Sequence, residues 1–125
     1  MKKINVGIIG LGVGFKHLSN IIVNKKIGKI FVYDKKSEKL KKVKKTFNSI
    51  KICKNEDEIF QNKEIDFVCI CSYDNFHFIH VKKAILSKKD IFVEKPLCSN
   101  RKEFDVIKDL IKKSKIKISS NFVLR

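Results

Sequence analysis

Arginine is almost missing from this chain. Of 29 basic residues only Arg101 and Arg125 are arginines, and acidic residues number 13, so the formal net charge is +16. A balance so basic raises the possibility of nucleic-acid binding. Base readout and phosphate clamping favour arginine, however, and the lysines are spread along the whole chain. Nor do aromatic residues interleave with basic ones as in single-strand binders; the ten phenylalanines fall mostly at core-spaced positions. The charge reads as a solvated lysine surface, and nucleic acid is not the expected partner. No apolar run approaches the ~20 residues of a membrane span. Met1-Lys2-Lys3 leads into a short apolar run ending at glycine, without the apolar length or cleavage site of a secretory signal. A cytoplasmic protein without a membrane partner is expected. Paired cysteines are also lacking: Cys53, Cys69, Cys71 and Cys98 show no Cys-x-x-Cys spacing, and the histidines do not supply closely paired ligands. Buried free thiols are expected, and no metal site. Cys69 and Cys71, two apart, share one face of any strand that holds them.

What remains is a chain suited to a packed core. Hydrophobic residues make up 43% of the 125, and one domain of this length buries about two-thirds of its unfolded surface. Short apolar runs alternate with helical stretches, the pattern of βαβ units and a parallel sheet. Strands are expected at Ile4 to Ile9, Lys29 to Tyr33, Ile50 to Cys53, Asp66 to Cys71, Ile91 to Val93 and Ile116 to Phe122. Helices are expected from Phe15 to about Lys26, from a Ser37 cap to about Phe47, and for one turn at Asp57 to Phe60. Two more should run from Asp74 to about Ser87, and from an Asn100 cap through Lys113 with Phe104, Ile107 and Ile111 as its buried stripe. The fold class is α/β, a doubly wound parallel sheet (Rossmann) with about six strands in the order 3-2-1-4-5-6.

Two features place chemistry on that frame. Gly10-Leu11-Gly12-Val13-Gly14 follows the first strand and opens the first helix. The missing side chain at Gly12 lets a pyrophosphate approach the main chain, and the helix amino terminus supplies amide hydrogens and partial positive charge. The third glycine comes one residue early, and Phe15 occupies its usual place. Asp34 ends the second strand 22 residues after Gly12, where a carboxylate accepts from the adenosine ribose hydroxyls and repels a 2′-phosphate. That favours NAD over NADP, although Lys35 and Lys36 follow directly and offset the repulsion. Far downstream, Glu94-Lys95-Pro96 follows the buried strand Ile91 to Val93. Pro96 cannot continue the ladder, so an acid and a base stand at the carboxyl edge where open α/β sheets bind ligands.

Taken together, these segments resemble the glucose–fructose oxidoreductase / inositol dehydrogenase family of nicotinamide-dependent enzymes, through essentially the whole chain. His17 looks like the histidine many members carry just past the glycine turn. The run from Asp66 to His77 resembles the family's fourth strand and its Thr-Pro-Asp/Asn-x-x-His loop, with Ser72 keeping the hydroxyl and Tyr73 replacing the proline. The resemblance implies a sugar or polyol dehydrogenase in which Lys95 is the catalytic lysine beside nicotinamide and substrate. It also implies that Glu94 holds the ribose or the lysine. Gly10, Gly12, Val13, Gly14, Phe15, Asp34, Lys35, Ser72, Tyr73, His77, Glu94, Lys95 and Asn121 would then form the cofactor site. His77 reads equally as a ligand contact or a packed core histidine, and His80 as packing or surface.

Residues 1–125 correspond to the dinucleotide-binding domain, and Asn121 to Arg125 look like the segment leading into a second, substrate-binding and oligomerising domain. A chain ending directly after a sixth strand is expected to hold the cofactor half of an active site, inactive alone, within a full-length homo-oligomer. The competing readings are a standalone nucleotide-binding module without turnover and a basic nucleic-acid-binding protein.

Overall fold

The computed structural model describes residues 2–120. Six parallel strands form one sheet in the order β3-β2-β1-β4-β5-β6. They are β1 (Ile4–Ile9), β2 (Ile27–Tyr33), β3 (Lys51–Ile52), β4 (Phe67–Ile70), β5 (Asp90–Val93) and β6 (Ile118–Ser120). The helices are α1 (Val13–Ile21), α2 (Ser37–Thr46), α3 (Asp57–Phe60), α4 (His77–Leu86) and α5 (Arg101–Lys112), with a 3₁₀ turn at Asp74–Phe76 leading into α4.

Alternation along the central strands explains why helices cover both faces. Successive side chains on a strand point to opposite sides, and here both sides are apolar, as buried parallel strands require. Val6, Ile8, Ile30, Val32, Cys69 and Cys71 face α1 and α2, where Leu18 and Val43 close the layer. Ile9, Phe31, Val68, Ile70, Ile91 and Val93 face the other way, onto Val81, Ala84 and Ile85 of α4 and Ile107 of α5. The strand order reverses between β1 and β4, so the crevice between their carboxyl ends is where such a sheet takes its ligand.

The element boundaries depart from the sequence reading in ways with identifiable causes. Helix α1 starts at Val13, directly on the glycine turn, and ends at Ile21; β2 begins at Ile27, paired with Ile4. Ser37 is the first residue of α2 and makes no side-chain cap; the Lys36 amide before it donates to Asp34 Oδ1 at 2.8 Å. Asn100 does cap α5, accepting from the Glu103 amide at 2.9 Å. Of the stripe expected on that helix only Ile107 is fully buried, while Phe104 is 39% exposed. Helix α5 packs mainly on α4 rather than directly on the sheet, and Phe104, in its first turn, lies near the Arg101 guanidinium, 6.0 Å from the ring centre. Strand β6 is described only to Ser120, so the rest of the strand expected to Phe122, and Asn121 with it, lie outside the described residues.

Candidate functional site: a cavity at the carboxyl edge of the sheet

The ends of β1, β2, β4 and β5 open onto one cavity of about 410 Å³, within the range of small-molecule sites. Its floor is the glycine turn, and the two outer glycines there are required by close packing. Gly10 sits at φ +92, and a Cβ on it would lie 2.4 Å from the Cys71 carbonyl oxygen. Gly14 packs α1 onto the sheet, where a Cβ would meet Ile8 at 3.1 Å and Cys71 at 3.3 Å. Gly12 differs: a Cβ there would project into space bounded only by Lys39 Nζ at 3.6 Å. It is the N-cap residue of α1 and no side chain caps that helix, so a bare turn and a helix amino terminus face the cavity together. This is the cradle a diphosphate requires. Phe15 does not line the cavity; its ring packs on Phe47 with centroids 5.9 Å apart.

Asp34 closes one end. Its Oδ2 accepts from the Leu11 amide at 2.7 Å and its Oδ1 from the Lys36 amide at 2.8 Å. The carboxylate therefore stitches the glycine turn to the end of β2. A carboxylate has about four acceptor positions, so these two bonds leave capacity for ligand hydroxyls. Lys35, Lys36 and Lys39 line the same end, with the Lys35 ammonium 3.5 Å from the centre of the Phe76 ring. Val13, Tyr73, Glu94 and Lys95 line the cavity as expected.

Histidines hold the opposite end. His77, 1% exposed, lies between the Pro96 carbonyl (Nδ1, 2.6 Å) and the Ser72 carbonyl (Nε2, 2.7 Å). It ties the loop after β4 to the loop after β5, which makes it a buried strap at the cavity wall. Glu94 Oε1 meets His17 Nε2 at 2.6 Å, and the His17 ring stands edge-on to Phe92 with centroids 5.3 Å apart. The acid of Glu-Lys-Pro is thus held by His17, while Lys95 stays exposed on the rim, joined to Pro96 by a cis peptide bond.

His80, expected to be packing or surface, is more deeply engaged. Its Nδ1 is 2.8 Å from Ser72 Oγ and its Nε2 2.5 Å from Glu56 Oε2. Burial holds the His80 pKa below the ordinary histidine value despite Glu56 beside it. Burial pushes the Glu56 carboxyl up, but bonds from Lys83 and His80 outweigh it and leave its pKa below the usual range. The spacing of His77 and His80, three apart on one helix face, could have flagged the second histidine; nothing near Glu56 marks it. Cys71 also lines the cavity, and its sulfur contact with Cys69 (Sγ–Sγ 3.5 Å), together with burial, raises its pKa. It stays a thiol rather than a nucleophilic thiolate.

Comparison with known proteins agrees with this geometry. Residues 4–122 match the oxidoreductase family with an NAD-binding Rossmann fold that groups glucose–fructose oxidoreductases with inositol dehydrogenases. The chain is 30% identical over 121 residues to the myo-inositol 2-dehydrogenase of Thermotoga maritima, covering 94% of this chain and 35% of that protein. The apo crystal structure of scyllo-inositol dehydrogenase from Lactobacillus casei superposes with a TM-score of 0.88 at 25% identity, covering 96% of this chain and 36% of that one. GenD2 of gentamicin A biosynthesis, solved in complex with NAD, shares the fold at a TM-score of 0.88 and 16% identity, over 97% of this chain and 35% of that one. The chain thus spans about a third of the length of the proteins it matches.

Proposed function

We propose a function from one premise: the chain belongs to the oxidoreductase family with an NAD-binding Rossmann fold. It is the cofactor domain of an enzyme that moves a hydride between a nicotinamide cofactor and a sugar or polyol derivative. The observation that carries this reading is the open backbone at Gly12, over the uncapped start of α1, in a cavity with Asp34 at one end and Lys95 at the other. NAD, when bound, supplies hydride acceptance and donation.

The chain's own residues have separate tasks. The turn from Gly10 to Val13 binds the diphosphate, with Lys39 adding charge above it. Asp34 accepts from the adenosine ribose and disfavours a 2′-phosphate, which makes NAD the preferred cofactor over NADP. Lys95 stands where the nicotinamide end would lie and holds or accepts the proton of the reacting hydroxyl, as alcohol oxidation requires. The inositol dehydrogenases among the relatives support a polyol as the substrate class. The remaining substrate-binding groups come from outside the third of those proteins that this chain matches, and the whole enzyme is a homo-oligomer.

Titration calorimetry with NADH and NADPH tests the cofactor assignment. NADH is expected to bind about tenfold more tightly, a difference of about 1.4 kcal/mol. Failure of both to bind removes the dinucleotide reading, and equal affinity removes Asp34 from the ribose.

A further inference from the structure

Ser72, His80 and Glu56 form a hydrogen-bonded line along the cavity wall, and its chemistry fixes the direction of every proton in it. An ionised carboxylate only accepts, so Glu56 Oε2, at 2.5 Å, fixes the hydrogen of His80 on Nε2. His80 is 3% exposed and burial disfavours its charged form, so its Nδ1 carries a lone pair. The Ser72 hydroxyl, at 2.8 Å, must then donate its hydrogen to Nδ1. That is the one hydrogen bond of the Ser72 hydroxyl among the described residues. What Ser72 can offer a ligand is therefore lone pairs alone.

Resting on the dinucleotide reading above, we propose that Ser72 is a fixed hydrogen-bond acceptor for a hydroxyl or amide N–H of the bound dinucleotide. His80 and Glu56 are positioning residues that lock that polarity. An ordinary serine donates or accepts as its ligand demands, and could equally serve a phosphate oxygen. This one rejects phosphate oxygens and selects donors. The diphosphate is thereby directed toward Gly12, and a ribose hydroxyl or the nicotinamide carboxamide toward the β4 loop. Phe76 stacks on His80 with an interplanar angle of 22°, and the ring of Phe60 lies 5.8 Å away, so the imidazole plane is held as well as its tautomer. Lys83 completes the outer end, donating to Glu56 Oε1 at 2.8 Å and to Asp57 at 3.2 Å.

The test uses the chain as it stands, with NADH and ADP-ribose as probes, against the wild type, Ser72→Ala, His80→Phe and the double variant. Ser72→Ala is expected to weaken NADH about tenfold, the worth of one good hydrogen bond. His80→Phe keeps the ring stacking, frees the serine to turn, and should weaken NADH several-fold. The double variant should bind no worse than Ser72→Ala, because the histidine acts through the serine. Retention of the full loss for ADP-ribose assigns the donor to a ribose hydroxyl; its disappearance assigns the donor to the carboxamide. A second readout does not depend on His80→Phe folding. Protonated His80 would donate from Nδ1 and turn the serine into a donor. Wild-type affinity should therefore fall on acidification below the ordinary imidazole range, relative to Ser72→Ala measured in parallel. The charges facing His80, namely Glu56, Lys83, Asp57 and His77, and the His17–Glu94 pair nearby, are common to both proteins and cancel in that difference. Unchanged NADH affinity in Ser72→Ala, or losses that simply add in the double variant, would overturn the proposal. If the wild type binds neither probe, the dinucleotide reading falls and takes this one with it.

Discussion

At the β1–β2 end of the cavity a carboxylate holds main chain to main chain; at the β4–β5 end, imidazoles do. Asp34 reaches the Leu11 and Lys36 amides, and every partner lies within one βαβ unit. His77 joins carbonyls of two separate loops, His80 reaches a residue ahead of α3, and His17 reaches from α1 to Glu94 after β5. The first end is short-range, built from the glycine turn and the uncapped start of α1. The second is assembled from distant parts of the chain, and its links are side-chain imidazoles rather than backbone amides. In the proposed function the difference separates binding from chemistry: a diphosphate would need only a turn and a helix start, whereas placing Ser72, Glu94 and Lys95 relative to one another needs the whole sheet.

The sharpest way to break that division is Gly12→Val. A branched side chain filling the open space above the turn should weaken NADH more than about a hundredfold. The circular dichroism should stay unchanged, because no protein atom closer than Lys39 Nζ opposes a Cβ there. Retained NADH fluorescence enhancement would move the diphosphate off this turn. Next in size, Lys95→Ala in a protein that turns over substrate should lower kcat by about a hundredfold. Its NADH affinity, measured separately, should change by less than about tenfold, since the lysine belongs to the reacting end. His77→Phe tests the strap: it removes the imidazole between two carbonyls and should cost about 2 kcal/mol of stability in urea denaturation. An unchanged midpoint would show that the two loops are held by other contacts.

Asp34→Ser comes after these and probes both tasks of one residue. It should narrow the NADH-over-NADPH preference to about threefold or less, with Lys35 and Lys36 free to meet a phosphate. The loss of the Leu11 and Lys36 bonds should also cost about 1 kcal/mol of stability. Stability without a change in preference would leave Asp34 a purely structural clamp. The smallest effect is expected away from both ends, at Lys88, which takes φ 59 directly after α4. Glycine there should raise the thermal midpoint by a few degrees, for about 1 kcal/mol, with no change in NADH binding.

Much of this was legible from residues in order. Alternation of apolar runs and helical stretches placed all six strands, and the topology followed from the rules for doubly wound sheets. Asp57–Phe60 and the Asn100 cap were located from local pattern alone. That the glycine turn, Asp34, Glu94 and Lys95 would meet at the carboxyl edge of the sheet could be read because each is a short motif directly after a strand. Phe104 was misjudged because a periodic stripe says which residues share a face, not what that face meets. Gly14 and Phe15 were placed at the cofactor as the early third glycine of the motif and the residue in its usual place; in the structure Gly14 packs on Ile8 and Cys71, and Phe15 on Phe47. His80 and Glu56 escaped notice because they are 24 residues apart and no spacing rule connects a helix face to a residue ahead of another short helix.

The sequence by itself determined the fold class, the strand order and the place of the glycine turn, since these follow from periodicity and from backbone freedom at particular positions. Only the tertiary structure decided that Glu94 is held by His17, that His77 is a strap, and that Ser72 faces the cavity with its proton already committed. Those outcomes depend on distances between groups brought together by the assembled sheet. The direction of a hydrogen bond is set by both partners at once, and neither partner alone carries it.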